Sequence, residues 1–225
     1  SAGSALTGLS TDASGNLTFT VTIPDEVATG KQAVKFVAGG QTQRDTVTIA
    51  GANVTATPSG DVKPNQRITL IGSGFTTGGA ATINSSGDGS SIAIGGASIA
   101  TAKINDGSSV TIDNGGSWSS SVDLPVISAT TAGGAVELKV TDSSGRQGTV
   151  ALTFPTRSLT ITPTEGRVGT QVSVVGANFP AKNDEGESVT VTVQYDAGTN
   201  KTNSTTVVPD ASGNFTASVQ VPTNA

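Results

Sequence analysis

Asp184, Glu185 and Glu187, in "KNDEGES" beside Lys182, are the densest group of acids in the chain. A pair of carboxylates can do acid–base work on a glycosidic bond. Three together can also offer oxygens to calcium, which takes six to eight of them. Asp184, Glu185 and Glu187 are therefore the candidate metal group, with calcium as the ion. The same stretch reads more simply as a solvated loop. Other Asp/Asn–Gly loops recur at "NSSGDGSS" (84–91), "NDGSS" (105–109) and "DSSGR" (142–146). None has the Asp-x-Asp-x-Asp-Gly spacing of a calcium-binding EF-hand loop, and Asp or Asn before Gly is ordinary turn chemistry.

Other chemistry is removed by composition. The chain has no His and no Cys, so Ser–His–Asp and Cys–His nucleophile systems are impossible, as are imidazole and thiolate zinc sites. No catalytic residue, no cofactor and no enzymatic activity are expected. A formal charge of −5, with no basic stripe to offset it, opposes nucleic acid and anionic membranes. No direct membrane insertion is expected. Asn16, Asn53, Asn84, Asn200, Asn203 and Asn214 begin N-x-S/T acceptors, several of which arise by chance in a chain rich in Ser and Thr. Lys35 and Lys139 alternate with apolar neighbours, which sends them to a wet face, away from the buried acid that a Lys–Asn crosslink requires.

The elements that would position such residues come from a repeat. "DASGNLTFTVTIP" (12–24), "DNGGSWSSSVDLP" (113–125) and "DASGNFTASVQVP" (210–222) align without a gap. In each copy an Asp and a Gly three residues on predict a turn. Apolar residues at every second position then predict a strand with one buried face, and a closing Pro ends it. "VTATP" (54–58) is answered by "LTITP" (159–163), and "ITLIGSGF" (68–75) by "VSVVGANF" (172–179). "AVKFV" (33–37) with "RDTVTI" (44–49) is answered by "AVELKV" (135–140) with "RQGTVAL" (146–152). A fixed period of this kind determines the architecture.

The repeat divides the chain into 1–52, with the later elements of a unit, 53–158, a complete unit, and 159–225, with the earlier elements. The whole reads as a window on a longer tandem array. Short strands with frequent turns, and no helical apolar stripe, predict an all-β chain of tandem antiparallel sandwiches. Trp118, Val122 and Leu124 are expected to be buried with Ile68, Leu70, Val136, Leu138, Val150 and Leu152. The linkers near 50–53 and 156–159 are expected to be short.

Pro163, Gly166, Gly169, Val172, Val174, Gly176 and Phe179 resemble the opening of the IPT/TIG immunoglobulin-like domains. Pro58, Gly60, Ile68, Leu70, Gly72 and Phe75 give a looser version, in which Lys63, Pro64 and Asn65 replace the usual Gly-Thr approach. The resemblance implies a sandwich of about seven to nine strands, often in tandem in large bacterial or archaeal surface proteins, without catalytic residues. The expected role is a structural repeat region at the cell surface, in an S-layer-type coat or a stalk. The alternatives are an adhesin or carbohydrate-binding module, and a head-to-tail surface filament. Neighbouring copies or adjacent repeats are the expected partners, with surface glycans a further possibility. Only Trp118 and Tyr195 offer a platform on which a sugar ring could stack.

Overall fold

In the computed structural model, residues 8–21, 23, 27, 29–77, 81–84, 87–126, 134–196 and 202–222 are described. The chain divides into two compact units, 1–49 and 50–225. It is all-β, built from antiparallel sheets.

In the first unit, β1 (Gly30–Ala38) and β2 (Gln41–Ile49) form a hairpin whose turn is Gly39-Gly40, both at positive φ. Phe19 meets Phe36 edge-on, with ring centroids 5.9 Å apart. No described residue of this unit is buried. The turn expected at Asp12–Gly15 is present, but the strand expected after it is not. Leu17, Val21 and Ile23 are exposed and belong to no ladder. The later copies of that strand each pair with a neighbour that has no counterpart among the described residues of 1–49. Alternation alone therefore had nothing to pair with. Pro24 lies outside the described residues.

The second unit begins with a closed sandwich. One sheet joins β3 (Asn53–Thr57), β4 (Arg67–Ser73) and β9 (Trp118–Asp123), with β4 in the middle. A ribbon of β5 (Thr82–Ile83) and β8 (Val110–Thr111) lies outside both main sheets. The other sheet runs β11 (Gln147–Thr153), β10 (Ala135–Thr141), β6 (Ser91–Ile94), β7 (Ala97–Ser98). Leaving the ribbon aside, the first, second and fifth strands share one sheet and the third, fourth, sixth and seventh the other. This is an immunoglobulin-like order.

The core follows the period-two pattern. Ile68 and Leu70 of β4, Trp118 and Val122 of β9, Leu124, and Val136, Leu138 and Leu152 of the opposite sheet are buried together, with Val150 packed at their margin. At Gly72 a strand must have no side chain, because a Cβ there would collide with the indole of Trp118, its cross-strand partner. Gly176 and Phe215 repeat the arrangement in the next unit.

That next unit has the sheet β12 (Ser158–Thr162), β13 (Gln171–Ala177), β16 (Phe215–Gln220) and the hairpin β14 (Val191–Asp196), β15 (Thr202–Val207). Its smaller core is Val174, Phe215, Ala217 and Val219, with Phe179, Val191, Val193 and Tyr195 packed on it. Two main elements of the closed sandwich, the counterparts of β10 and β11, are not represented among its described residues.

Candidate functional site

The turns explain where the polar residues went. Asp113 accepts hydrogen bonds from the backbone N–H groups of Gly115 and Ser117, and Asp210 from those of Ser212 and Asn214, all at 2.8–2.9 Å. Asp12 does the same for Ser14 and Asn16. These bonds, the one from the Asn16 N–H first, hold its carboxyl below the usual carboxylate range. Asp142, fully buried, accepts from Ser144 and Arg146 in the same manner and also from the N–H of Thr76, which ties the β10–β11 hairpin to the chain after β4. Each carboxylate is thus occupied in organising backbone.

Asn183 builds the fifth such turn, accepting from the N–H groups of Glu185 (3.1 Å) and Glu187 (2.8 Å). This is the acidic stretch with the densest carboxylates, and the three acids there diverge in what they touch. The Asp184 carboxylate takes the N–H of Val126 at 2.8 Å and faces Lys103 Nζ at 3.3 Å, both from the closed sandwich. Glu187 accepts from the side-chain amide of Asn183 at 3.3 Å. Glu185 is exposed. Among the described residues, no group of three acids is disposed to hold a metal ion.

The stretch is part of a clamp. Asn65 sits at φ 57 and donates its side-chain amide to the carbonyls of Lys182 (2.7 Å) and Asn183 (3.1 Å). Asn178 donates to the Thr156 carbonyl at 2.9 Å. Between β11 and β12 only residues 154–157 intervene. A four-residue linker is therefore flanked by hydrogen bonds and an ion pair that all cross from the closed sandwich, or the linker itself, to the unit after it.

Asn65 was legible only as a departure from a pattern. Its N–H donates to the Leu124 carbonyl, as the N–H of Gly169 (φ 85) donates to that of Val221. The next residues, Gln66 and Thr170, accept from Leu124 and Val221 in turn. Asn65 therefore occupies the glycine position of the repeat. Asn tolerates the left-handed conformation, and unlike Gly it carries an amide that reaches across the joint. Lys103, in a 3-10 turn, gave no signal in the sequence.

A cavity of about 340 Å³ lies at the same joint, walled by the 63–66 turn, the 154–157 linker, the loop after β13 and the 211–213 turn. Arg67 grips both oxygens of Asp123 (2.7 and 2.9 Å) and reaches Asp106 at 2.6 Å. The Arg67 guanidinium holds the Asp123 carboxyl below its ordinary range, and its own pKa is pushed up by Asp123 and then Asp106.

The aromatic residues are spent on packing. Trp118 is buried edge-on against Phe75, with centroids 5.5 Å apart, and Phe179 and Phe215 repeat the pair at 5.1 Å. Tyr195 packs on the smaller core.

No family model matches the chain, and no curated protein matches it. Among solved structures, it is similar to BcpA*(D312A), the major pilin subunit of Bacillus cereus, at 12% identity and a TM-score of 0.25, over 95% of this chain and 76% of that one. It is also similar to BcpA itself at 12% identity and a TM-score of 0.23, over 85% and 63%. Scores this low carry no function; the immunoglobulin-like order rests on the strand pairing above.

Proposed function

We propose that the chain is a non-enzymatic structural repeat region of a cell-surface protein, a coat or stalk built from IPT/TIG-type immunoglobulin-like units. The observation that carries this reading is the clamp at residues 154–157. A short linker alone lets two domains swing, whereas Asn65, Asn178 and the Lys103–Asp184 pair fix the part that begins at β12 to the closed sandwich. A series of such joints transmits position from repeat to repeat, which suits a rod or a lattice. Its partners are adjacent repeats and neighbouring copies, and its place is outside the cell. The carbohydrate-binding alternative has less support, because Trp118 is buried and Tyr195 is half-buried on a core.

A head-to-tail filament has one observation in its favour. Leu159 and Ile161 of β12 are exposed, whereas Val54 and Ala56 of β3 are buried beside β11. A hairpin from another copy could cover them, but β1–β2 fits imperfectly. It sets Asp45 and Gln43 opposite Val34 and Phe36, where β11 sets Leu152 and Val150 opposite Val136 and Leu138.

Labelling intact source cells with antibody against the chain tests the surface assignment. Label distributed over the cell exterior is the expected result, and label confined to the cytoplasm would overturn it. Sedimentation over a range of concentrations separates the filament: open-ended growth that disappears on deleting 1–49 would favour it over the coat.

A further inference from the structure

We propose that Asn53 and Asn214 are N-glycosylation sites. They begin the acceptors "NVT" (53–55) and "NFT" (214–216). The spacing of this motif is the period of a strand, so the Asn and the hydroxyl share one face and the middle residue takes the other. The fold therefore decides what each motif presents. Val54 and Phe215 are buried in the two cores, which leaves Asn53, Thr55, Asn214 and Thr216 all exposed. Asn53 spends its backbone on the ladder with Ser73, and Asn214 spends its backbone on the turn with Asp210. Among the described residues, neither side-chain amide is engaged.

The other acceptors do not meet the same conditions. In β15 the parity is reversed: Asn203 and Thr205 are half-buried, Ser204 is exposed, and the Asn203 amide donates to the Gln220 carbonyl at 2.9 Å. Asn84 is buried at φ 63, with its amide on the Thr101 carbonyl at 3.3 Å. Asn16 is exposed, but its amide donates to Asp12 at 3.3 Å, and Leu17 and Thr18 belong to no strand. Asn200 lies outside the described residues.

The transfer needs an amide nitrogen and a hydroxyl two residues on, both open to a bulky donor. Asn Nδ2 attacks the anomeric carbon of a polyprenyl-phosphate-linked oligosaccharide. A C–N bond forms, the anomeric C–O bond to phosphate breaks, the lipid phosphate leaves, and the amide gives up one proton. The product is a bulky, solubilising group. Asn53 lies in β3 and Asn214 immediately precedes β16, each an edge strand of its three-stranded sheet. A glycan at either position hinders edge-to-edge pairing with another chain. The inference rests on the surface reading, because it needs the protein to meet such a donor outside the cytoplasm.

Mass spectrometry of peptides from the full chain, purified from its source cells, provides the test. Glycan mass increments are expected on the peptides that carry Asn53 and Asn214, with Asn84 and Asn203 bare. Thr55→Ala and Thr216→Ala should each abolish the increment on its own peptide. Thr55→Ser and Thr216→Ser keep the hydroxyl and should retain it, which separates loss of the acceptor from loss of the fold. A bare peptide at Asn53 or Asn214 overturns that site. Both bare, in chains that antibody labels on the cell exterior, would overturn the glycan and leave the surface reading intact. Modification of Asn84 or Asn203 would overturn the selection by strand face, and an increment that survives the Ala variants would overturn N-linkage through this motif.

Discussion

β3 and β12 are the same element of the repeat, with "NVTAT" in one and "SLTIT" in the other, and they meet opposite fates. In β3 every second residue is buried; in β12 every residue is exposed. Both pair antiparallel with the following strand in matching register, so the difference is not local. It comes from β11, whose Gly148 passes so close to Val54 that a Cβ there would press on it. β12 has no such neighbour among the described residues. The pattern of a strand thus gives the face that is meant to be buried, and only the opposite sheet determines whether it is.

The largest contrast between the closed sandwich and the part from β12 onward lies at their centres. Leu70→Ala should cost about 2–5 kcal/mol, because Leu70 is fully enclosed and leaves a cavity. Val174, at the equivalent position of β13, belongs to a smaller core, and Val174→Ala should cost less, about 1–2 kcal/mol. Denaturant titrations of each variant measure both; equal losses would mean that the smaller core is as closed as the larger.

The β3–β12 pair sharpens the contrast. Val54→Ala removes two buried methyl groups and should cost about 1–2 kcal/mol. Leu159→Ala, at 57% exposure, should change stability by no more than about 0.5 kcal/mol. A large loss at Leu159 would show that something covers β12 in solution.

A smaller effect is expected at the joint. Asn65→Gly keeps the backbone conformation that Gly169 adopts in the next unit and deletes only the amide that spans the joint. The expected loss is about 1 kcal/mol. Destabilisation of the 50–153 sandwich alone, with the part from β12 onward unaffected, would assign Asn65 to its own turn.

Much of the core could be read from alternation, since Ile68, Leu70, Trp118, Val122, Leu124, Val136, Leu138 and Leu152 are all buried where period two placed them. The turns were equally readable, because Asp and Gly three apart leave few options for the backbone. The strand after Asp12 was not, because a ladder needs a partner and alternation does not report one. The joint was least legible of all. Lys103 and Asp184 are 81 residues apart and Asn65 and Lys182 are 117 apart, so no local pattern connects them. The acids at 184–187 were visible as a cluster, but the strongest contacts of Asp184 are to an amide and an ammonium group on another unit.

The smallest expected effect concerns pH. Asp123 has its carboxyl lowered, first by the hydrogen bond from Arg67. A lowered folded-state pKa adds stability that is present above the unfolded carboxylate pKa, near 3.9, and is lost as pH falls through the lower folded value. Solvent screens the pair, so the effect is slight. Thermal melts of the wild type and Asp123→Asn should differ slightly at neutral pH and converge on acidification below the carboxylate range. A gap that widens on acidification would contradict the pairing.

Backbone nitrogen relaxation on the full chain tests the clamp most directly. Amides of 53–153 and of 158–221 should report one rotational correlation time, and Asn65→Gly combined with Asp184→Ala should split it into two. Two different times in the wild-type chain, or a double variant that still tumbles as the wild type does, would contradict a clamped joint.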